Sequence, residues 1–357
     1  MNKKTTSLLL LCVIICTLLL TGCDGENNNQ GANKTQFKNY SFSYFDTVSI
    51  IIGYEVEGED FGAVSQDAFE LLEEYHKLFD IYNEYDGINN LCTVNNLYDG
   101  EHKPIRVDRK IIDMLLYAKE MYVKTNGKMN IAMGSVLSIW HDYRSVGADE
   151  PWNAELPPMD RLEEAAKHTN IDDVIIDEKN STVWLADPEM KLDVGAFAKG
   201  YAVEMVAKYL ESIGKYNYVV NVGGNIRTTG TKANGEEWKT GIENPYDTST
   251  YIEYVALNTD AIVTSGSYQR YYVVDGKTYH HIIDPLTLMP ADYGFLSVSV
   301  ICKDSGMGDG LSTALFCMSI EDGMALINSI DGVEAMWVDE NEVKHFSNGF
   351  NKYITEI

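Results

Sequence analysis

Apolar positions recur along the chain with either a two-residue or a three-to-four-residue period, which predicts interspersed strands and helices. An apolar and aromatic run over residues 42–52, ending in three isoleucines, predicts a first strand. Helical spacing follows over residues 62–82 and again over residues 108–125, where Asp108 can cap the second helix. Gly127 is expected to end that helix.

The second half of the chain predicts short strands, hairpins and a few helices. A hairpin is predicted at residues 174–176 and 183–185, followed by a helix over residues 195–213. Further strands are predicted at residues 218–221, 238–243, 251–257, 271–274 and 297–302, a tight turn at Asp275-Gly276, helices at 310–318 and 322–330, and a last hairpin at 334–338 and 343–346. Because no regular βαβ rhythm appears, we predict a single α+β domain over residues 37–357, with mixed β-sheets and packed helices.

The N-terminus has the pattern of a lipoprotein leader. Within residues 3–20 a lysine pair precedes an apolar run that is too short for a comfortable membrane span, and a glycine then precedes Cys23. We therefore predict a cleaved signal peptide over residues 1–22, with Cys23 as the lipid-modified, palmitate-bearing mature N-terminus. An uncleaved anchor helix is the alternative. Either arrangement places the protein outside the cytoplasm and anchored to the cell membrane.

Charge and cysteine content narrow the possible ligands. Residues 23–36 are rich in Asn, Gly and charge, which predicts a flexible tether. The formal charge is −26, or −28 once the two leader lysines are removed, and this argues against nucleic acid or a basic lipid-binding patch. Cys92, Cys302 and Cys317 show neither a disulfide framework nor a metal spacing. An anion would need local positive charge from a metal, a helix N-terminus or a lysine.

Two stretches place small residues where the backbone can approach a ligand. In residues 191–202, Lys-Leu-Asp-Val-Gly-Ala-Phe-Ala-Lys-Gly-Tyr-Ala, a strand end is predicted to turn into a helix whose free N–H groups favour an anion. Lys199 could contact a phosphate there, or could simply be solvated. In residues 218–226, Gly223 and Gly224 interrupt a β-branched strand, which indicates either a bulge or a close approach of the backbone to a ligand.

Two further stretches offer a base and metal ligands. His281 follows Thr-Ser-Gly-Ser-Tyr-Gln-Arg (residues 264–270) and begins His-Ile-Ile-Asp-Pro, which makes it a candidate general base, although such a histidine is often structural. Asp309 and Thr313 are four positions apart, so on a helix their oxygens could share one hard cation. Helix capping by Asp309 explains the same residues without a metal. The sequence contains no GxGxxG or Walker fingerprint, no zinc spacing and no serine nucleophile elbow.

In this order and spacing, the four stretches resemble the ApbE family of flavin transferases, from about residue 45 to the end. The resemblance rests on residues 193–200, the Gly223-Gly224 pair, residues 281–285, and Asp309 with Thr313. It implies a T-fold-like domain that uses Mg²⁺ to transfer FMN from FAD to a Thr or Ser hydroxyl of a target flavoprotein, releasing AMP. The acceptor motif it implies is Asp, then Ser or Thr followed by Gly-Ala-Thr.

The resemblance also implies roles for individual residues. The implied magnesium ligands are Asp309, Thr313 and the backbone carbonyl of Ala196, and His281 is the implied base. The implied FAD contacts are Phe45, Tyr82, Lys128, Met129, Asn130, Asp193, Lys199 and the backbone near Ile283. Three positions depart from the family pattern: Phe45 stands where a methionine is frequent, Lys128-Met129-Asn130 where a Phe-Asp pair is more common, and Leu288 where glycine is usual.

Two other functions fit the same residues. If water replaces the protein hydroxyl, the chain is a magnesium-dependent FAD pyrophosphatase that releases FMN and AMP. A lipoprotein that only binds flavin is the second alternative, and pure binding requires neither a hard-metal pair nor a base. A host protein carrying the acceptor motif would favour the transferase.

Overall fold

A computed structural model describes residues 35–55, 60–96 and 103–356 of the chain. The predicted signal peptide, Cys23 and nearly all of the tether lie outside the described residues, and they stay predictions. The helices are α1 (Phe61–Phe79), α2 (Leu91–Asn96), α3 (Arg109–Lys124), α4 (Gly134–Asp149), α5 (Met159–Ala165), α6 (Ala198–Ser212), α7 (Ser305–Phe316) and α8 (Ile320–Asn328). Among these described helices, none is both long enough and apolar enough to cross a bilayer.

The strands form one large sheet and three small ones. They are β1 (Gln36–Tyr44), β2 (Thr47–Tyr54), β3 (Ile105–Arg106), β4 (Val174–Asp177), β5 (Thr182–Leu185), β6 (Val219–Val222), β7 (Asn225–Thr228), β8 (Trp238–Asn244), β9 (Asp247–Leu257), β10 (Ala261–Gly266), β11 (Tyr271–Val274), β12 (Lys277–His280), β13 (Phe295–Cys302), β14 (Glu334–Asp339) and β15 (Lys344–Phe346). The large sheet has the order β1-β2-β6-β7-β10-β13-β14-β15, and its pairings are all antiparallel. The α+β prediction is confirmed.

The large sheet separates two apolar cores. Along β2, Ile51 points into the core formed with the helices, whereas Ile50 and Ile52 point to the opposite face, which the β8–β9 hairpin covers. This alternation is the two-residue period of a strand. A third cluster joins α4 to β11 and to the loop that carries Ile283. It is this cluster that brings α4 against the predicted site.

Several local predictions are confirmed. Helix α3 has Asp108 as its N-cap, which accepts a hydrogen bond from the Lys110 amide. The β4–β5 hairpin forms as predicted, and β11 has the predicted bounds. Asp275 and Gly276, with φ of 49° and 79°, form the turn between β11 and β12.

Other predictions of local structure were wrong. The run at residues 42–52 is not one strand, because the chain turns at Phe45 and Asp46, whose φ angles are 53° and 52°. The Gly223-Gly224 pair does not interrupt a strand; with φ of 58° and 90° it forms the turn between β6 and β7. A Cβ at Gly223 would lie 2.6 Å from Thr47 Oγ1, so this turn also needs glycine for space.

The bounds of three helices also differ from those predicted. Helix α1 ends at Phe79, three residues before its predicted end. Helix α6 begins at Ala198, and the residues before it are not in a strand. Helix α7 begins at Ser305, five residues early, with Asp304 as its N-cap. Helix α4 was not predicted at all.

Candidate active site

The crossing of α6 and α7 places Asp309 at the start of α6. The Gly200 amide, in the first turn of α6, donates to Asp309 Oδ2 at 2.8 Å. A Cβ at Gly200 would lie 2.3 Å from the Ser305 carbonyl oxygen, so only glycine lets the two helices approach this closely. The N-cap of α7 is Asp304, and Asp309 does not cap its own helix. The capping alternative is therefore wrong for α7, and the carboxylate faces the N-terminus of α6 instead.

The three predicted metal ligands meet at this crossing. Thr313 lies one turn after Asp309 on α7, and its hydroxyl donates to the Ala196 carbonyl at 3.2 Å. Ser265 Oγ on β10 lies 3.4 Å from Thr313 Oγ1. The set consists of carboxylate, hydroxyl and carbonyl oxygens, which are the donors that Mg²⁺ prefers, so the residues fit the ion. The described residues contain no group of three or more His, Cys, Asp or Glu side chains suited to a metal, so Asp309 is the carboxylate on which this site depends.

The environment of Asp309 favours a nearby cation. Its side chain is almost completely buried, and this burial raises the pKa of the carboxyl group, while Lys199 and the Gly200 amide act in the opposite direction. Lys199 Nζ lies 3.8 Å from Asp309 Oδ2 and 3.4 Å from the Gly195 carbonyl oxygen. Lys199 is therefore not simply solvated, because it directs positive charge into the site.

The geometry of His281 suits a base. Its backbone amide donates to the Arg270 carbonyl at 3.1 Å, and its Nδ1 lies 3.2 Å from the same oxygen. A carbonyl can only accept, so Nδ1 carries the proton and Nε2 keeps a lone pair. Burial, together with the charges of Arg270 and Arg144, lowers the pKa of His281 to about 3. The imidazole is thus neutral at physiological pH.

His280 is the structural histidine of the pair. Its Nε2 donates to the Ala291 carbonyl at 2.9 Å, and its Nδ1 accepts from the Ile282 amide at 3.2 Å. Both ring nitrogens are used within the protein, and burial lowers the pKa of this side chain. The structural alternative weighed for His281 therefore describes its neighbour.

Several of the predicted FAD contacts gather around Asp193. Burial raises the pKa of Asp193, whereas the Gly195 amide at 2.9 Å and the charges of His141, Arg144 and Lys199 act against that rise. Tyr82 is 62% exposed, and its ring lies on His141 with a centroid distance of 5.5 Å. An exposed ring backed by a second ring is available for stacking on a flat ligand. Phe45 packs edge-on against a different histidine, His76, at a centroid distance of 5.5 Å.

The Lys128-Met129-Asn130 segment uses its side chains within the protein. Lys128 Nζ forms an ion pair with Asp284 Oδ1 at 3.0 Å, and Met129 is 1% exposed. The Asn130 side chain accepts from the Ala132 amide and donates to the Thr169 carbonyl, each at 2.9 Å. The FAD contacts predicted for these residues stay predictions, and as the structure stands they would have to come from the backbone.

The loop after the Asp-Pro turn shows how Leu288 replaces glycine. Leu288 has a φ of 60°, a conformation that glycine adopts more easily. Trp140 Nε1 on α4 donates to the Leu288 carbonyl at 2.8 Å, and the Leu288 amide donates to the Asp284 carbonyl at 2.8 Å. Ile283 packs in the same apolar cluster as Leu288. The loop therefore keeps a glycine-like backbone and stays joined to α4.

Sequence reasoning missed three basic residues of this site. His141 and Arg144 lie on α4, and Arg270 lies just before β11. Their charges act on Asp193, Tyr82 and His281. The Thr-Ser-Gly-Ser-Tyr-Gln-Arg run did contain Arg270, but nothing in the sequence indicated that α4 packs opposite it.

A cavity of about 340 Å³ lies on the face of the large sheet that the β8–β9 hairpin covers. It lies between the large sheet and β8, and its lining includes Asp46, Gly223, Gly224, Thr264 and Tyr268. Thr264 immediately precedes Ser265, which contacts Thr313. The glycine turn borders this cavity, whereas Ser265, which points to the opposite face of β10 from Thr264, contacts α7.

Known proteins are similar to this chain in sequence. The sequence profile of the ApbE family matches residues 45–337. The FAD:protein FMN transferase of Klebsiella pneumoniae is 31% identical over 280 residues, which cover 78% of this chain and 83% of that protein. The FAD:protein FMN transferase of Treponema pallidum is 34% identical over 249 residues, covering 66% and 67% of the two chains.

Solved structures agree with these sequence matches. The ApbE protein of Thermotoga maritima is 27% identical with a TM-score of 0.78, covering 90% of this chain and 100% of that one. The flavin transferase ApbE of Vibrio cholerae is 26% identical with a TM-score of 0.74, covering 90% and 99%. Taken with the crossing of α6 and α7 and the placement of His281, these similarities show that the chain belongs to the ApbE family.

Proposed function

We propose that this chain is a magnesium-dependent FAD:protein FMN transferase, which transfers FMN from FAD to a Thr or Ser hydroxyl of an acceptor flavoprotein and releases AMP. The observation that carries the proposal is the pairing of a neutral, tautomer-fixed His281 with the oxygen ligands at the α6–α7 crossing. Lys199 connects the two. It lies 3.8 Å from Asp309 Oδ2, and its charge is among those that lower the pKa of His281.

Each step of the transfer can be assigned to residues of the site. His281 Nε2 accepts the proton of the acceptor hydroxyl, whose oxygen then forms a bond to the FMN phosphorus while the bond from that phosphorus to the AMP oxygen breaks. Lys199 and the first turn of α6 hold the pyrophosphate charge. Asp309, Thr313 and the Ala196 carbonyl would hold magnesium, which when bound neutralises phosphate charge and stabilises the leaving oxygen.

The two alternatives differ from the transferase in their products. A FAD pyrophosphatase releases FMN and AMP without an acceptor, and a flavin-binding lipoprotein releases neither. We would measure AMP, free FMN and acceptor-bound FMN with and without acceptor, in magnesium and in EDTA. AMP formed in equal amount to acceptor-bound FMN, and only with both acceptor and magnesium, supports the transferase. Equal AMP release without acceptor would favour the pyrophosphatase, and intact FAD the carrier.

We also propose that the protein is an extracytoplasmic lipoprotein, anchored to the cell membrane through palmitate on Cys23. The support is the leader pattern and the flexible composition of residues 23–36. A short tether from a lipid holds the catalytic body near the bilayer, which suits acceptors that are themselves membrane-bound. Palmitate labelling and membrane fractionation of wild type and Cys23→Ser test this. Labelling and membrane association that persist in the variant would exclude Cys23 as the anchor.

We expect the acceptor to carry the motif Asp, then Ser or Thr followed by Gly-Ala-Thr. This expectation rests on the family resemblance. A peptide or domain with this motif is the acceptor to test first, and the matched control replaces its acceptor hydroxyl residue with alanine.

A further inference from the structure

Arg144 lies in the site without a carboxylate partner. Its Nη2 lies 3.2 Å from His141 Nδ1, one turn earlier on α4, and His141 in turn stacks with Tyr82. Within the described part of the chain, no Asp or Glu oxygen lies within 4.0 Å of its guanidinium. The structure therefore fixes the position of this guanidinium through a histidine.

Arg270 approaches the same place from the other side. Its backbone carbonyl receives both His281 hydrogen bonds, and its own guanidinium forms no ion pair with the carboxylates that the structure describes. Burial lowers the pKa of Arg144, and the two arginines are close enough for the charge of Arg270 to lower it as well. Asp193 is near enough to Arg144 for the charge of the arginine to oppose the rise that burial causes in the pKa of Asp193. Asp193 nevertheless forms no ion pair with either arginine.

Arg270 is exposed and Arg144 is half-buried, so two neighbouring guanidinium groups without a carboxylate partner lie at the edge of the site. A fully buried arginine, Arg227, is by contrast paired within the protein, with Glu204 at 3.1 Å and Glu211 at 3.0 Å. The guanidinium groups of Arg144 and Arg270 are therefore accessible to a negatively charged ligand. Guanidinium groups bind phosphate oxygens in pairs of parallel hydrogen bonds, which makes a phosphate the best match.

We propose that Arg144 and Arg270 form a two-arginine clamp that binds the phosphate groups of the dinucleotide substrate. The identity of that ligand rests on the proposed function, because Tyr82, Asp193 and Lys199, which surround the clamp, are the predicted FAD contacts. The clamp holds the phosphate that leaves with AMP as well as the phosphate that stays with FMN, so AMP alone binds to it. The clamp does not contact the flavin ring.

The test is equilibrium binding of FAD, AMP and riboflavin, in EDTA and without an acceptor, to wild type, Arg144→Gln, Arg270→Gln and the control Arg161→Gln. Arg161 lies exposed on α5, outside the site. Each clamp variant is expected to weaken FAD and AMP binding by about tenfold or more, since a charge-assisted bidentate pair is lost. Riboflavin binding should be unchanged, and Arg144→Lys should restore only part of the loss.

Melting temperatures measured without ligand show whether the variants are as stable as wild type. Both Gln variants should unfold no earlier than wild type, because the substitution removes repulsion between the arginines. Unchanged FAD and AMP binding in both variants would overturn the clamp, and so would an equal loss of riboflavin binding. The outcome does not depend on transfer: wild type that binds FAD through the arginines but labels no acceptor would keep the clamp and remove the proposed transferase.

Discussion

His281 Nδ1 lies 3.2 Å from the backbone carbonyl oxygen of Arg270, the same oxygen that accepts the His281 amide. This contact places the proton on Nδ1 and leaves Nε2 free. The guanidinium of the same arginine helps to keep the imidazole neutral. Arg270 thus sets the tautomer of the candidate base and adds to the effect of burial on its protonation state.

Replacing His281 by alanine should remove transfer and spare binding. A positioned base contributes about 10²- to 10⁴-fold to a rate, so we expect at least a hundredfold loss of acceptor labelling with the FAD dissociation constant unchanged. Single-turnover labelling and FAD fluorescence titration measure the two effects.

The neighbouring histidine supplies the matched control. His280→Asn loses hydrogen bonds to Ala291 and Ile282, at a cost of about 1–2 kcal/mol in unfolding free energy, but the folded variant should still transfer FMN. Transfer retained in His281→Ala, or lost in a folded His280→Asn, would reverse the assignment.

The pH dependence should reflect the lowered pKa of His281. A base with a pKa of about 3 in the free protein stays deprotonated through the acidic range, so kcat/KM should show no acidic limb near pH 6.5. The same shift affects stability: the folded state binds fewer protons than the unfolded state between about pH 6.5 and 3. The contribution of His281 is therefore present above pH 6.5 and is lost as the pH falls towards 3.

Initial rates at subsaturating FAD, from pH 5 to 8, measure the first of these effects. Urea unfolding of wild type and His281→Ala over the same range measures the second. The stability difference between the two proteins should shrink as the pH falls. An acidic limb near pH 6.5 that His281→Ala abolishes would contradict the account.

Asp309→Asn should remove the response to magnesium. Wild type is expected to gain melting temperature with millimolar magnesium, because an ion that binds only the folded state stabilises it, and the variant should gain none. Asp304→Ala is the control on the same helix: it removes the N-cap of α7 at a cost of about 1 kcal/mol and leaves the magnesium response intact. A magnesium shift that survives in Asp309→Asn would place the metal elsewhere.

Lys128→Ala should destabilise the protein even in the absence of FAD. Its partner Asp284 is buried at 1% side-chain exposure and also accepts from the Tyr293 hydroxyl and the Leu286 amide. Removing one member of a buried pair costs about 3–5 kcal/mol, because the remaining charge is left uncompensated. Urea unfolding of the single variants and of Lys128→Ala/Asp284→Asn measures the coupling. Unchanged stability with weakened FAD binding would instead make Lys128 a direct ligand contact.

Part of the site could be predicted from the spacing of residues in the sequence alone. Asp309 and Thr313 share a helix face whatever the fold, and a histidine before an Asp-Pro turn indicated a base. The position of Arg144 could not be predicted, because α4 contains serines and glycines and lacks one clear apolar stripe.

The turn at Phe45 and Asp46 could not be predicted either. Left-handed turns are usually marked by glycine or asparagine, and here an aromatic residue and an aspartate adopt that conformation instead. The pairing of β1 with β2 in this hairpin holds the turn in place without a glycine to mark it in the sequence.

The most direct measurement is the intact mass of an acceptor domain after incubation with FAD, magnesium and the fragment that begins at Asp24. We predict a gain of one FMN, visible as in-gel fluorescence, that is absent with EDTA and with Asp309→Asn. An acceptor of unchanged mass, while FAD is either split into free FMN and AMP or recovered intact, would contradict the transferase.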